Sequence, residues 1–476
     1  MNGRTCKVSN FRLPIRQLET ETRNMQFDEA LAYLLSLGHE TLTIKLGLRN
    51  TETLLAALGN PERSYRSVQI AGTNGKGSTA AFLDSVCRAA GIHTGLFTSP
   101  HLVSITERTN VDGAPVTESQ FARLTGEVKT VAEELVARGE LPTLPTFFEQ
   151  VTAIALLAFA RERVELAILE TGLGGRLDST TAARASVGAI TSIDMDHQEY
   201  LGHSLAEIAA EKAAIIQPGV TAIVAPQKKE AFDVINRRCE AVGVQPRLVG
   251  PRGELPTVCS GELLRTTVDG RAVVSFTTDS AKYDEVTLAL RGLHQIDNAA
   301  VAIAAAEALQ EHGLGISRAA IIQGIETATH PGRLELWPGP PQFLFDGAHN
   351  PAAAKALRDY LDEFIDLPVV MIFGAMRDKA LSEMMSTLFP SAAKVILTTL
   401  DNPRAASIDE LVAALPDELS NSEIVRTSNV SEALQRASEI STAKGVVCVT
   451  GSLHLVGEAR RLLQKPDLEE ACIPAG

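Results

Sequence analysis

The sequence predicts an α/β protein in two parts, each organised around a mostly parallel sheet. Short apolar runs with the composition of strands buried on both faces occur at 67–72, 94–99, 165–170 and 187–193. Helical segments separate several of them, and the helix expected at 77–90 ends at Gly91, a residue type common just past a helix. This alternation of strand and helix is the pattern of a doubly wound sheet.

The second part repeats the α/β alternation after a change of pattern. Residues 255–290 alternate polar and apolar side chains, which predicts a small antiparallel annex, and an alanine-rich helix follows at 297–311. Glycine and proline at 330–340 mark a linker. Further strands are expected at 342–346, 369–374, 394–399 and 445–451. We therefore divide the chain into a leader (1–24), a first domain (25–329) and a second, smaller domain (330–476).

The composition excludes several classes of protein. The chain has 476 residues, a net charge of -14, 45% hydrophobic and 21% charged residues. Such an acidic chain is not expected to wrap nucleic acid or to lie on an anionic membrane. Its six cysteines lack metal-type spacing, which favours a reduced, cytoplasmic compartment. No apolar run is long enough for a membrane helix. We expect small-molecule partners and a monomer.

The first 24 residues carry five basic side chains but no apolar signal core. They are interpreted as a disordered leader or the product of an upstream start codon, and a transit peptide is the alternative. A helical pattern begins directly after Met25.

The stretch "IAGTNGKGST" (70–79) has the context of a phosphate-binding loop, although its spacing differs from G-x-x-x-x-G-K-[ST]. It follows an apolar strand and opens an amphipathic helix. Its glycines allow backbone N–H groups to converge on phosphate oxygens, and Lys76 adds a full positive charge. The sequence therefore predicts a nucleotide site in a parallel-sheet P-loop ATPase domain.

Polar residues follow several predicted strands at the edge where open parallel sheets bind ligands. Ser99, Glu170 and His197 each follow a strand of the first domain. Alone, each fits a solvated strand end or a structural histidine, but together they could hold Mg²⁺, which prefers oxygen ligands. Candidates nearer to or within the second domain are Asn298, Arg333, Asp346, His349 and Asn350.

Nine ordered motifs between about residue 26 and residue 460 resemble one family. They are "GTNGKGS", "TSPHL", "PTFFE", "ETGLGGRLDST", "DMDHQEYLG", "AEKAAI", "HQIDNAA", "HPGRLE" and "FDGAHNP". The chain thus resembles the folylpolyglutamate and dihydrofolate synthases of the Mur-ligase superfamily, in which the altered loop spelling is usual. One departure is Ala214, where the motif usually has glycine. The resemblance implies a Rossmann-like second domain.

The resemblance implies roles for individual residues. ATP binding is implied for Thr73, Asn74, Gly75, Lys76, Gly77, Ser78, Asn298, Arg333 and Asp346. Two Mg²⁺ ions are implied, with ligands Ser99, Glu170, His197 and a carbamylated Lys212. Pteroate contacts are implied for Thr146, Phe147, Phe148, Glu149, Leu177, Asp178 and Ser179. Catalytic roles are implied for Lys76, Lys212, Arg333 and His349.

Lys212 lies in a segment that reads as a helix with a capping box, formed by Ser204 as N-cap and Glu207 at the third position. Its place on the apolar face with Ile208 also fits a snorkelling lysine or a buried ion pair. The family's alternative is a carbamate, which forms when a neutral amine takes up CO₂.

The expected reaction is ATP-dependent addition of L-glutamate to dihydropteroate, to folates, or to both, through an acyl phosphate and with release of ADP and phosphate. Transfer of the γ-phosphoryl group supplies the leaving group that a carboxylate lacks, and catalysis of this kind is mostly positioning and electrostatics. The alternatives are a Mur-type amino-acid ligase acting on another carboxylate, and a P-loop NTPase that is not a ligase.

Overall fold

The computed structural model describes residues 25–38, 47–251, 256–416 and 424–464. They form three sheets with helices packed on them, so the α/β class, the antiparallel annex and the second α/β part are confirmed. We call the residues through 329 the N-terminal unit and those from 330 onward the C-terminal unit. The predicted leader lies outside the described residues.

The N-terminal unit is built on an eight-stranded sheet of order β4-β3-β2-β5-β1-β6-β7-β8. The central strand β1 pairs in parallel with β5 and β6, and only the β2–β3–β4 edge is antiparallel. The strands are β1 (Arg66–Ala71), β2 (Thr94–Phe97), β3 (Thr109–Val111), β4 (Ala114–Pro115), β5 (Leu166–Glu170), β6 (Val187–Ile190), β7 (Thr221–Val224) and β8 (Arg247–Leu248). Strands β2, β5 and β6 are buried along their length, as their apolar sequences predict.

Helices cover both faces of this sheet and begin at side-chain caps in several places. Thr117, Thr146 and Ser204 each form a capping box with the residue three positions on. The helices are α1 (Phe27–Ser36), α2 (Arg49–Ala57), α3 (Lys76–Ala89), α4 (Glu118–Ala137), α5 (Phe147–Glu162), α6 (Gln198–Leu201), α7 (Leu205–Ala213) and α8 (Lys229–Val242). Helix α7 is shorter than the predicted apolar stripe, because Ile215 and Ile216 lie beyond its end.

The annex is a three-stranded antiparallel sheet of β9 (Cys259–Thr266), β10 (Ala272–Thr278) and β11 (Lys282–Thr287). It shares one hydrophobic core with α3 and with the helices α9 (Gln295–Glu311) and α10 (Arg318–Thr327). The central part of α9, residues 299–306, is apolar on every side and buried, as expected of a helix segment enclosed by other elements. The first turn of α9 packs against the phosphate loop, where Asn298 contacts Gly75.

The C-terminal unit has a six-stranded sheet of order β12-β13-β17-β14-β15-β16, in which only β12 is antiparallel. Its strands are β12 (Glu335–Trp337), β13 (Gln342–Asp346), β14 (Val369–Phe373), β15 (Lys394–Thr398), β16 (Ile424–Thr427) and β17 (Val446–Thr450). Its helices are α11 (Pro351–Phe364), α12 (Leu381–Leu388), α13 (Ile408–Ala413), α14 (Val430–Ile440) and α15 (Leu453–Leu463).

Two strands end two or three residues before the predicted limit, whereas the other strands end within one residue of it. The run 94–99 leaves the sheet after Phe97, and 187–193 leaves it after Ile190. The released residues form loops that carry Ser99 and Asp194 past the sheet edge, where Ser99 precedes a cis proline.

Within the described ranges, no helix is long and apolar enough to cross a membrane. Four cysteines in this part of the chain are buried free thiols: Cys87, Cys239, Cys259 and Cys448.

Candidate active site

The phosphate loop connects β1 to α3 and is fixed by the neighbouring strand end. The backbone N–H of Thr73 donates to Ser192 O (2.8 Å), and its hydroxyl bridges the backbone of Asp194, at 3.0 Å to both N and O. Gly75, in a left-handed conformation (φ 88°), caps α3. The loop therefore presents the N-terminus of α3, a ready anion site, at the sheet edge.

Two lysines converge on one carbonyl group of this loop. Lys76 Nζ donates to Gly72 O (3.2 Å) and Thr73 O (3.1 Å), and Lys212 Nζ donates to the same Gly72 O at 2.7 Å. Lys212 is buried, and burial together with the Lys76 charge lowers its pKa to about 7. Close to neutral pH, this amine is therefore partly uncharged and nucleophilic.

Two loop glycines are in close contact with other chain segments. A Cβ atom on Gly75 would lie 2.2 Å from Asn298 Oδ1, and one on Gly77 would lie 2.6 Å from His330 Nε2. Asn298 is itself oriented by Gln295, whose amide also donates to Ser78 (3.3 Å). The structure thus brings Asn298 against the loop, and it adds His330, which the sequence analysis missed.

All four predicted metal ligands, Ser99, Glu170, His197 and Lys212, line the cavity above the loop, whose volume is about 330 Å³. Glu170 accepts a hydrogen bond from the backbone N–H of Ser99 (3.2 Å). Burial raises the pKa of Glu170 against the opposing charge of Lys76, and burial lowers the pKa of His197 to about 3. Carboxylate and hydroxyl oxygens fit a hard divalent ion, and a neutral imidazole is able to act as an additional nitrogen ligand. Across the described ranges, no three His, Cys, Asp or Glu side chains cluster closely enough to hold a metal by themselves.

The C-terminal unit supplies the opposite wall of this cavity. Asp346 ends β13 and accepts hydrogen bonds from the backbone N–H groups of Leu334 and Ala348, both at 2.9 Å. Burial raises its pKa. A Cβ atom on Gly347 would lie 2.4 Å from Arg333 Nη1, so the guanidinium packs directly on this turn. Arg333, Asp346 and His349 therefore face the loop of the N-terminal unit.

Asp196 is a buried carboxylate between the two units. Its Oδ1 contacts Lys379 Nζ at 2.7 Å, and its Oδ2 lies 3.3 Å from Asn350 Nδ2 and 3.5 Å from His349 Nε2. Burial favours the neutral acid, but the hydrogen bond from His349 and the surrounding positive charges hold the pKa of Asp196 well below its usual range. Sequence reasoning missed both Asp196 and Lys379. The signal was available for Lys379, which follows the predicted strand 369–374.

The pteroate-type segments line a second cavity of about 360 Å³, which includes all seven predicted contact residues. Phe148 covers Gly172, where a Cβ atom would lie 2.4 Å from its ring, and it packs on Phe97 with ring centroids 6.0 Å apart. Arg108 lies over the Phe147 ring, with its guanidinium carbon 5.4 Å from the centroid. The wall is therefore a mixture of aromatic faces and a buried cation.

Several residues of these segments are used within the fold. Thr146 and Glu149 form the capping box of α5, and Ser179 accepts a hydrogen bond from the Thr51 hydroxyl (3.2 Å). The carboxylate of Asp178 accepts from the backbone N–H groups of Gly172 (2.8 Å), Leu173 (2.9 Å) and Thr180 (3.0 Å). These side chains shape the cavity indirectly, because they fix the loops around it. Phe148 and Leu177 are half-buried and line the cavity.

The two cavities meet. The side chains and backbone that line both belong to Ser99, Pro100, Gly172, Leu173, His197, His349 and Leu453. A group held over the phosphate loop therefore has direct access to a molecule in the aromatic cavity.

Two family models match the chain. The Mur ligase middle domain matches residues 70–306, and the Mur ligase glutamate ligase domain matches residues 332–453. The dihydrofolate synthase/folylpolyglutamate synthase of Bacillus subtilis is 34% identical over 432 residues, which cover 90% of this chain and 97% of the relative. A probable bifunctional folylpolyglutamate synthase/dihydropteroate synthase of Halobacterium salinarum is 37% identical over 442 residues, and the chain spans about half of its length (51%).

Solved structures agree in sequence and in fold. Escherichia coli FolC in complex with DHPP and ADP superposes with a TM-score of 0.81 at 29% identity, covering 94% of this chain and 99% of that one. Mycobacterium tuberculosis folylpolyglutamate synthase complexed with ADP gives 0.83 at 31% identity, covering 92% and 99%. A Yersinia pestis bifunctional relative, complexed with AMPPNP and Mn ion, gives 0.79 at 27% identity, covering 93% and 99%. Because the Bacillus subtilis relative and these three solved structures are matched over nearly their whole length, this chain belongs to the folylpolyglutamate synthase/dihydrofolate synthase family of Mur ligases.

Proposed function

We propose that this protein is an ATP-dependent ligase that joins L-glutamate to dihydropteroate and to folyl-glutamates, and so has both synthase activities. ATP-driven ligation of glutamate is the activity of the family. The single observation that carries the proposal is the junction of the two cavities. The cavity over the phosphate loop opens into an aromatic cavity with room for a second substrate.

ATP lies on the phosphate loop in this proposal. The backbone N–H groups of 73–78 and Lys76 bind its phosphates, Asn298 faces the adenine, and Asp346 faces the ribose. Arg333 supports the assignment by its position on the turn at Gly347, opposite the loop. Two cationic side chains then neutralise the charge that spreads over the transferring phosphoryl group.

Two Mg²⁺ ions are proposed, one held by Ser99 and Glu170 and the other by His197 and a carbamate on Lys212. Bound there, the ions would supply positive charge that neutralises the phosphate groups. The chain's own contribution is to keep His197 neutral and the Lys212 amine near its neutral form, both through burial. The carbamate removes a positive charge that would otherwise repel the second ion.

The pteroate substrate occupies the aromatic cavity between the segments 146–149 and 177–179. Its carboxylate reaches the cavity junction, where the γ-phosphoryl group of ATP is transferred to it. The glutamate amine then attacks the acyl phosphate, and phosphate leaves. The His349 imidazole, at the junction and 3.5 Å from Asp196, is placed to orient the incoming amine or hold its proton.

Several broader features belong to the same proposal. The division into domains of 25–329 and 330–476 and a monomeric state fit a site completed between two units of one chain. A cytoplasmic location is proposed because the four described cysteines are free thiols, as is usual in a reducing compartment.

The decisive experiment incubates the purified protein with ATP, glutamate, Mg²⁺ and either dihydropteroate or tetrahydrofolate. The expected products are ADP, phosphate and the glutamyl amide, formed only when both carboxylate acceptor and glutamate are present. Formation of AMP and pyrophosphate, or rapid ATP hydrolysis without an acceptor, would refute the mechanism. Activity with one acceptor alone would refute the bifunctional assignment.

A further inference from the structure

The ion pair between Lys379 and Asp196 joins the two units in the cleft between them. Asp196 lines the cavity over the phosphate loop, and Lys379 lines the aromatic cavity. The Nζ–Oδ1 distance is 2.7 Å, and both side chains are less than a tenth exposed. Lys379 follows β14 of the C-terminal unit, whereas Asp196 follows β6 of the N-terminal unit. In the closed arrangement both charges are shielded from water, so removing one of them favours a more open arrangement in which water solvates the other.

The same carboxylate is connected to the phosphate loop. Asn350, the N-cap of α11, donates from its amide to Asp196 Oδ2 (3.3 Å) and to Asn74 Oδ1 (3.0 Å). Its Oδ1 accepts from the Ala353 backbone N–H (2.9 Å), so the side chain is fixed to the C-terminal unit. The loop, Asp196 and the C-terminal wall therefore form one continuous polar network.

We infer that the Lys379–Asp196 pair is a latch that holds the C-terminal unit closed on the phosphate loop, and that Lys379 is a positioning residue for ligation. The effect of the latch on the arrangement of the two units does not depend on the proposed function. Only its effect on the rate of ligation rests on that function. When the pair is removed, the cleft opens and the groups on its two walls are no longer aligned with each other.

Other contacts keep the units attached when the latch is lost. The Tyr360 hydroxyl donates to Asp269 O (3.2 Å), and the β9–β10 turn packs on the aromatic rings of α11. Elsewhere, the backbone of Leu102 approaches α15 so closely that a Cβ atom on Gly457 would lie 1.9 Å from its oxygen. These contacts are uncharged and do not involve Asp196. Loss of the latch should therefore change the angle between the units without unfolding either.

The test is small-angle X-ray scattering of the ligand-free protein, comparing the wild type with Lys379→Met. The variant is expected to have a larger radius of gyration at an unchanged melting temperature of the main transition. Lys379→Arg keeps the positive charge and the reach to Asp196, and it is expected to restore the compact value. Lys355→Met is the matched control, because it removes an exposed lysine–aspartate pair within α11 alone.

Kinetics provide the second measurement. Lys379→Met is expected to lower kcat by about a hundredfold through misplacement of the facing groups. Unchanged scattering in Lys379→Met would overturn the latch. If the KM for glutamate also rose, Lys379 would instead be a substrate ligand. If even the wild type fails to ligate, the proposed function fails, and the scattering alone still decides the latch.

Discussion

Lys76 and Lys212 donate to the same carbonyl oxygen, that of Gly72, at 3.2 and 2.7 Å. One lysine starts α3 and the other lies near the end of α7, so the phosphate loop joins two ammonium groups that are distant in sequence. Burial is the larger cause of the lowered pKa of Lys212, and the charge of Lys76 adds to it. Lys76 therefore contributes to the lowered pKa of Lys212, and the neutral amine is the form of a lysine that can react with CO₂.

We predict that Lys212 takes up ¹³CO₂ near neutral pH. Carbamate formation needs the neutral amine, and a pKa of about 7 makes about half of the amine neutral at pH 7, where an ordinary lysine is almost wholly charged. The ¹³C NMR carbamate signal should thus grow as the pH rises through about 7 and should be absent in Lys212→Ala. Lys76→Met should shift the rise to higher pH, because it removes a charge that lowers the pKa of Lys212. A signal that appears only in the range of an ordinary lysine would contradict the assignment.

The phosphate loop gives a steric prediction at Gly75. A methyl group there would lie 2.2 Å from Asn298 Oδ1, so Gly75→Ala should displace Asn298 or the loop. We expect nucleotide affinity to fall by about tenfold to a hundredfold, the equivalent of an overpacked contact. Isothermal titration with an ATP analogue measures the change.

Gly91→Ala is the matched control for Gly75→Ala. Gly91 also has a positive φ (78°), but a Cβ atom there would meet nothing within 4 Å. Both variants share the cost of a left-handed alanine, and only one has the clash. Equal losses of affinity in the two variants would show that backbone strain, not the Asn298 contact, governs binding.

A third prediction concerns the aromatic cavity. Phe148→Ala removes the ring that covers Gly172 at the cavity wall. The KM for dihydropteroate should rise by about tenfold or more, as expected for the loss of an apolar contact surface, while the KM for ATP stays unchanged. Phe148→Leu retains most of the apolar volume and should behave nearly as the wild type. A rise in the KM for ATP alone would place the pteroate elsewhere.

Much of the fold followed from the sequence, because strands buried on both faces have an unmistakable composition. The runs 342–346 and 165–170 match β13 and β5 to within one residue. Strand ends were less predictable. The residues of 94–99 and 187–193 beyond Phe97 and Ile190 are apolar or small enough to extend a strand. Other hydrogen bonds hold them instead: the Thr98 hydroxyl donates to Glu107 O, and Ser192 O accepts from two backbone N–H groups of the phosphate loop.

The candidate site was predictable only where a motif marked it. Glycine spacing and strand ends located the loop, Glu170 and Asp346, all of which line one cavity. Asp196 and Lys379 are 183 residues apart, and no local pattern shows that two such charges will meet in a buried pair. The use of Asp178 was equally hidden, since a carboxylate in a polar loop gives no indication of which backbone groups it will accept from.

The last prediction follows from those acceptors. Asp178 binds three backbone N–H groups and the Thr180 hydroxyl while it is itself buried, so Asp178→Ala leaves several donors without a partner in the 172–180 loop. We expect a loss of about 2–3 kcal/mol in the free energy of unfolding, measured by urea denaturation. Asp178→Asn should recover little of it, because an amide nitrogen in place of Oδ2 would face the donors of Gly172 and Leu173. Ligation of dihydropteroate and of tetrahydrofolate should fall together, since the loop as a whole shapes the cavity. A selective loss of dihydropteroate use in a fully stable Asp178→Ala protein would instead show direct recognition of that substrate by the carboxylate.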